Sequence, residues 1–121
     1  MHYRFVGHDN PICTVEDLGS AEADDFFGEM LDPSTAAIVA RDGGVLAGWL
    51  RFEFEKGVFY PCGTWVESPF RGKGIAQALW GRCMKKFKPR LVCVRTVSVE
   101  GRRLVGSLVS WFPKVEFEVR T

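Results

Sequence analysis

The segment that most constrains this chain runs from residue 58 to residue 97, where its pattern changes period twice. Val58 to Val66 is a β-rich run. Glu67 to Gly74 interrupts it with a proline, two glycines and the cations Arg71 and Lys73. From Ile75 onward, Ile75, Ala76, Leu79, Trp80, Cys83, Met84 and Phe87 share one stripe at helical spacing, while Arg82, Lys85, Lys86 and Lys88 fall off it. Pro89 closes this helix, and Leu91 to Val97 reads as a strand. Two strands joined by a helical crossover are expected to be parallel neighbours.

Upstream, three β-rich runs are separated by short glycine turns. Ala37 to Arg41 and Val45 to Phe54 flank Asp42-Gly43-Gly44, and Glu55-Lys56-Gly57 leads into Val58 to Val66. Glycine supplies the positive φ that tight hairpins need, so these runs are predicted to form an antiparallel meander. Leu50, Phe52 and Phe54 alternate with Trp49, Arg51 and Glu53, which marks one buried face. Tyr3 to Val6 is a short predicted strand. Val15 to Leu31 reads as helical, although Gly19 and Gly28 weaken it enough to allow two short helices. Downstream, residues 100–112 read as a helix that Pro113 stops, and Lys114 to Arg120 alternates as a last strand, open to pairing with a second copy of the chain. An antiparallel meander leading into β-α-β makes an α+β domain, here a single one over residues 1–121.

Composition narrows the function classes. No apolar run approaches the roughly 20 residues that span a bilayer, and no apolar stretch follows Met1-His2-Tyr3-Arg4 as a signal peptide requires. Cysteines at 13, 62, 83 and 93 show no C-x-x-C spacing, and the two histidines, His2 and His8, do not complete a metal set. The expectation is a cytoplasmic protein with reduced thiols, no metal and no membrane partner. Charge is uneven. Residues 1–70 carry 4 Lys/Arg against 12 Asp/Glu, and residues 71–121 carry 12 against 3. One half suits a cation and the other an anion, or each is simply a solvated face. Binding of nucleic acid by the basic half is disfavoured, since its cations are interleaved with core positions and no aromatic-basic RNA signature appears.

The chemistry gathers in Arg71-Gly72-Lys73-Gly74-Ile75-Ala76. A helix start exposes unpaired N–H groups and carries about half a positive charge. Glycines let the backbone approach an anion closely, and two cations add to the field, so the loop suits a pyrophosphate. It also fits a plain strand-to-helix turn. A Walker A loop does not fit, because Lys73 is followed by glycine rather than Ser or Thr. A dinucleotide fingerprint lacks its third glycine.

With Arg71, Gly74 and Ala76 matching [Q/R]-x-x-G-x-[G/A] between the fourth strand and the following helix, the chain resembles the GNAT (Gcn5-related N-acetyltransferase) family. Residues 37–112 carry the resemblance. It implies a mixed, mostly antiparallel central sheet of about six strands flanked by helices. It also implies transfer of an acetyl group from acetyl-CoA to an amine acceptor, small molecule or protein. The loop Arg71, Gly72, Lys73, Gly74, Ile75 and Ala76 would hold the pyrophosphate. Strands four and five would splay, and the backbone of Trp65 and Val66 would pair with the pantetheine.

The family's usual base positions fall on Tyr60 of the fourth strand and on Cys93 or Arg95 of the fifth, and none is a carboxylate. The role of the late tyrosine that protonates the departing thiolate falls near Ser107, and that of a preceding asparagine near Glu100. Tyr60 fits an amine-orienting role or that of a strand aromatic. Ser107 fits a proton donor or a helix serine bonded to its own turn. Glu67 and Glu100 fit action through water or solvated positions. Cys62 and Cys93 fit apolar filler better than an acyl carrier, having no base nearby in sequence. Glu22, Asp24, Asp25, Glu29 and Asp32 fit reception of a cationic acceptor or a solvated helix face. With no poised base, activity is expected to climb toward the acceptor's own pKa. The alternative is a non-catalytic GNAT-like module that binds a partner.

Overall fold

The computed structural model describes residues 13–28, 35–95 and 99–120. Six strands form one sheet in chain order, β1 (Thr14–Leu18), β2 (Thr35–Asp42), β3 (Val45–Glu55), β4 (Val58–Val66), β5 (Leu91–Arg95) and β6 (Phe117–Arg120). The helices are α1 (Ser20–Phe27), α2 (Ile75–Phe87) and α3 (Val99–Trp111), with a short 3-10 turn at Ser68–Phe70. This is the expected α+β architecture. β1 to β4 are antiparallel, whereas β5 runs parallel to β4 and β6 parallel to β5, each after a helical crossover.

Two hairpins set the register. Gly43 and Gly44 both take positive φ between Asp42 and Val45, which pair directly. Lys56 and Gly57 do the same between Glu55 and Val58. Two-residue turns with both φ values positive match the twist of the flanking strands. Arg90 braces the second turn, with its N–H on Gly57 O at 2.8 Å and its Nε on Lys56 O at 3.1 Å.

Alternation along the strands divides the core between two faces. On one face Ile38, Leu50, Phe52, Phe59 and Val92 pack against Leu79, Trp80 and Cys83 of α2 and Leu108 of α3. Phe52, Phe59 and Phe87 form a ring cluster there, with centroids 4.8 to 6.2 Å apart. On the other face Ala37 and Val39 pack against Ala23, Phe26 and Phe27 of α1, and Trp49 meets Phe27 edge-on at 4.9 Å.

The structure corrects the expected helix over Val15 to Leu31. Its first part is strand β1, paired with β2, and among the described residues of that stretch only Ser20–Phe27 is helical. Val15 and Leu18 satisfy helical spacing, but Gly19 stands as N-cap with Glu22 Oε1 on its N–H at 3.4 Å, and Gly28 ends the helix at φ 69°. The last strand is also shorter than expected: the Val115 N–H bonds Phe112 O at 3.1 Å in a turn, and β6 starts at Phe117. The predicted strand Tyr3 to Val6 lies outside the described residues. Among the described residues no helix is long and apolar enough to cross a membrane, and no group of His, Cys, Asp and Glu is arranged to hold a metal.

Candidate active site

β4 and β5 pair over only Val58↔Leu91 and Phe59↔Val92. Beyond that point the strands part, for two reasons present in β4 itself. Pro61 has no N–H to give a ladder. Cys62 is the extra residue of a bulge, because Arg51 pairs with Gly63 and Phe52 with Pro61. The bulge leaves Cys62 exposed, not the buried filler expected of it; Cys93, 3% exposed, is buried as expected. All four cysteines are free thiols.

The far end of β4 leads into the glycine loop. The Glu67 N–H donates to Ala47 O at 2.8 Å. Peptide groups alternate sides along a strand, so Val66 turns its own N–H and C=O toward the edge that β5 has left, while Trp65, opposite Trp49, faces β3. The Val66 carbonyl accepts from Arg71 Nε at 3.0 Å, and the Arg71 guanidinium lies 4.7 Å over the Trp65 ring. Trp65 in turn donates its indole N–H to Glu67 Oε1 at 3.1 Å. Glu67 thus steadies the platform under Arg71.

Gly72 and Gly74 take φ of 75° and 80°, a region that strains other residues. Nothing lies within 4 Å of where a Cβ on Gly72 would sit, so the backbone there faces open space. Gly74 is the N-cap of α2 and offers no side-chain cap, and no acidic residue occupies the first turn. Ala78 is the first residue of α2 to donate back, to Gly74 O at 3.0 Å. The N–H groups of Ile75, Ala76 and Gln77 therefore point out of the helix start, beside Arg71 and Lys73. A cavity of about 240 Å³ opens in front of them, walled by Val66, Phe70, Arg71, Gly72 and Trp111 of α3. Uncapped amides, glycine backbone and two cations fit a diphosphate, and an open strand edge beside them fits an amide-bearing arm.

A second cavity, of about 510 Å³, occupies the parting of the strands on the α1 face. Glu53 and Glu55 of β3, Tyr60, Pro61 and Cys62 of β4, and Cys93 and Arg95 of β5 line it. Desolvation, reinforced by the Glu53 carboxylate, pushes the Cys62 thiol up, so this sulfur keeps its proton. Tyr60 is half-buried there, opposite Glu53. Ser107 sits one turn before Trp111 on α3 and lines neither cavity, so the structure does not bring it together with Tyr60. Asp24 and Asp25 lie on α1, outside both cavities.

Gly48 and Glu53 are the two site residues that sequence reasoning passed over. A Cβ on Gly48 would stand 2.7 Å from Trp65 O and 3.2 Å from Ile75 Cγ2. Only glycine lets the end of β4 and the start of α2 close together on β3. Counting outward from the Lys56-Gly57 turn places Glu53 opposite Tyr60, a signal already present in the sequence.

Residues 4–114 match the family model described as Acetyltransferase (GNAT) family. No curated protein matches the chain. Among solved structures it is similar to a ribosomal-protein-alanine N-acetyltransferase from Brucella melitensis biovar Abortus 2308, at 22% identity and TM-score 0.61 over 79% of this chain and 90% of that one. It is also similar to the aminoglycoside acetyltransferase meta-AAC0020 from an uncultured soil metagenomic sample, in complex with sisomicin, at 12% identity and TM-score 0.66 over 91% and 93% of the two chains. A third is AAC(6')-Iy in complex with a CoA bisubstrate analogue, at 16% identity and TM-score 0.58 over 90% and 94%. At these identities the likeness establishes a shared fold.

Proposed function

Because the chain belongs to the GNAT acetyltransferase family, we propose that it transfers an acetyl group from acetyl-CoA to an amine acceptor. One observation carries the reading: the uncapped start of α2, with its glycine loop, opens beside the point where β4 and β5 part. That juxtaposition supports an anion site and an acyl channel in a single groove. In this reading the N–H groups of Gly72 to Gln77, with Arg71 and Lys73, hold the pyrophosphate. The open edge at Val66, beside Trp65, pairs with the pantetheine amides. When bound, acetyl-CoA supplies the activated acyl thioester. The 510 Å³ cavity receives the amine from the opposite face of the sheet. Tyr60, which lines that cavity, orients the nitrogen, whereas Ser107 lines neither cavity and takes no step in this reading. Much of the rate comes from holding amine and thioester in attack geometry. An acidic first half, with Glu53 and Glu55 in the cavity, suits an acceptor that arrives as a cation.

The test is thiol release from acetyl-CoA, followed with a chromogenic disulfide across a panel of primary amines. Acceptor-dependent release is expected. A folded protein that binds acetyl-CoA yet releases no thiol with any amine would overturn transfer and leave a binding module.

A further inference from the structure

We propose that Glu53, on β3, is the catalytic base, and that it takes its proton from an acceptor entering the cavity as an ammonium ion. The inference rests on the transfer reading above and assigns a step that β4 and β5 leave unassigned.

Geometry supplies the argument. Thr35, Glu53 and Tyr60 pair successively across β2, β3 and β4, so their side chains share one sheet face. Cys93 is the next position of β5 beyond its last pair with β4. Glu53 therefore stands one strand away from the parting, beside Tyr60. Thr35, only 5% exposed, donates its hydroxyl to Glu53 Oε1 at 3.3 Å and fixes the carboxylate's direction. Among the described residues Glu53 makes no ion pair, so its charge is not already neutralised by Arg51 on its own strand or by Arg95 across the cavity. A half-buried carboxylate with that charge free is a receptor for a cation.

The other groups facing Glu53 do not compete for the proton. Arg51 and Arg95 carry guanidinium groups, which offer donors and no acceptor. Cys62 is kept protonated. Glu55 is exposed at the hairpin end, and Cys93 is buried. In the step, Glu53 accepts one proton from R–NH3+. The freed nitrogen pair forms the C–N bond as the C–S bond breaks, its electron pair leaving on sulfur. A second nitrogen proton passes through the Tyr60 hydroxyl to that sulfur, giving the thiol. The third stays on the amide, and Glu53 later returns its proton to solvent.

The experiment compares wild type, Glu53→Gln and Glu53→Asp with primary alkylamines accepted in the panel and with their β,β-difluoro analogues, a large fraction of which is already unprotonated at neutral pH. Calorimetry with acetyl-CoA and circular dichroism accompany each variant. With the alkylamine, Glu53→Gln is expected to lose about 100-fold or more in kcat/KM. With the difluoro analogue it should lose several-fold at most, because no proton need be removed before attack. Wild-type kcat/KM for the alkylamine should be nearly flat around neutral pH. That of Glu53→Gln should climb about tenfold per pH unit toward the amine's pKa. Glu53→Asp should recover part of the loss, and acetyl-CoA affinity should be unchanged in both variants. Equal losses with both amines, or no loss with either, would overturn the assignment while leaving the transfer reading intact. Absence of thiol release by wild type would instead defeat the transfer reading, and this assignment with it.

Discussion

Gly48→Ala puts a single methyl group where the structure has no room. The new carbon would lie 2.7 Å from the Trp65 carbonyl oxygen, 3.3 Å from Val66 Cα and 3.2 Å from Ile75 Cγ2. Two of these are backbone atoms of β4, and Ile75 is 1% exposed in the core, so no flexible chain end can swing aside. Relief requires β4 to move from β3 or α2 to lift from the sheet. Overpacking of this kind costs about 1–3 kcal/mol. With a urea slope of about 1–3 kcal/mol/M for a small protein, the midpoint should fall by roughly 1 M. The displaced elements also frame the anion loop, so acetyl-CoA affinity should drop about tenfold, equivalent to about 1.4 kcal/mol. Gly72→Ala is the matched control. It meets nothing within 4 Å, and its cost comes only from φ of 75°, about 1–2 kcal/mol. Gly72→Asn should recover part of that, because asparagine tolerates the left-handed region, whereas Gly48→Ser should recover nothing. Urea melts and calorimetry read both effects. A Gly48→Ala protein with an unshifted midpoint and full affinity would show that the close approach of β3, β4 and α2 is misplaced.

Asp17 gives a pH signature. Burial pulls its carboxyl up, but hydrogen bonds from Lys86 at 2.8 Å and Arg82 at 3.3 Å outweigh this and hold it below the ordinary carboxylate value. Its stabilisation is therefore fully present above about pH 4 and is lost as pH falls through the lowered value. At 31% side-chain exposure it amounts to about 1 kcal/mol or less, and urea melts of Asp17→Asn should lack that part of the acid slope. Reversing Asp24 and Asp25 to Lys should raise KM for a cationic acceptor more than it lowers kcat, an effect that added salt shrinks. Equal losses with a neutral amine would point to a folding defect. Thiol-exchange kinetics should find Cys83 unreactive in the native state, because burial and then Asp17 push its thiol well up.

The parts of the molecule legible in the sequence are those where local chemistry and tertiary context agree. The stripe from Ile75 to Phe87 has a single amphipathic solution, and the helix occupies those residues. Gly57 and Gly43-Gly44 adopt positive φ at no steric cost, so turns were legible there and β2 to β4 followed from them. The segment Val15 to Leu18 was ambiguous because two apolar residues three apart satisfy a strand edge as well as a helix. Pairing with β2, from Val15↔Ala40 to Leu18↔Ala37, is a contact distant in sequence, and it decided the outcome. Glu53 was hidden for a different reason. Alternation assigned it to the polar face of β3, and polar faces usually meet solvent. Only the parting of β4 and β5, produced by Pro61 and the bulge at Cys62, turns that face into a cavity wall. Gly48 carried no signal at all, since its role depends on how closely Trp65 and Ile75 approach.

The central claim is that the loop ahead of α2 binds acetyl-CoA through its diphosphate. Calorimetric titration of the wild-type chain and of Gly74→Glu with acetyl-CoA measures this directly. The substitution places a side chain and a negative charge where the amides of α2 begin. The expected result is saturable binding by wild type and none by a folded Gly74→Glu. A folded wild-type protein that binds no acetyl-CoA at millimolar concentration, or a folded Gly74→Glu that binds with unchanged affinity, would contradict the account.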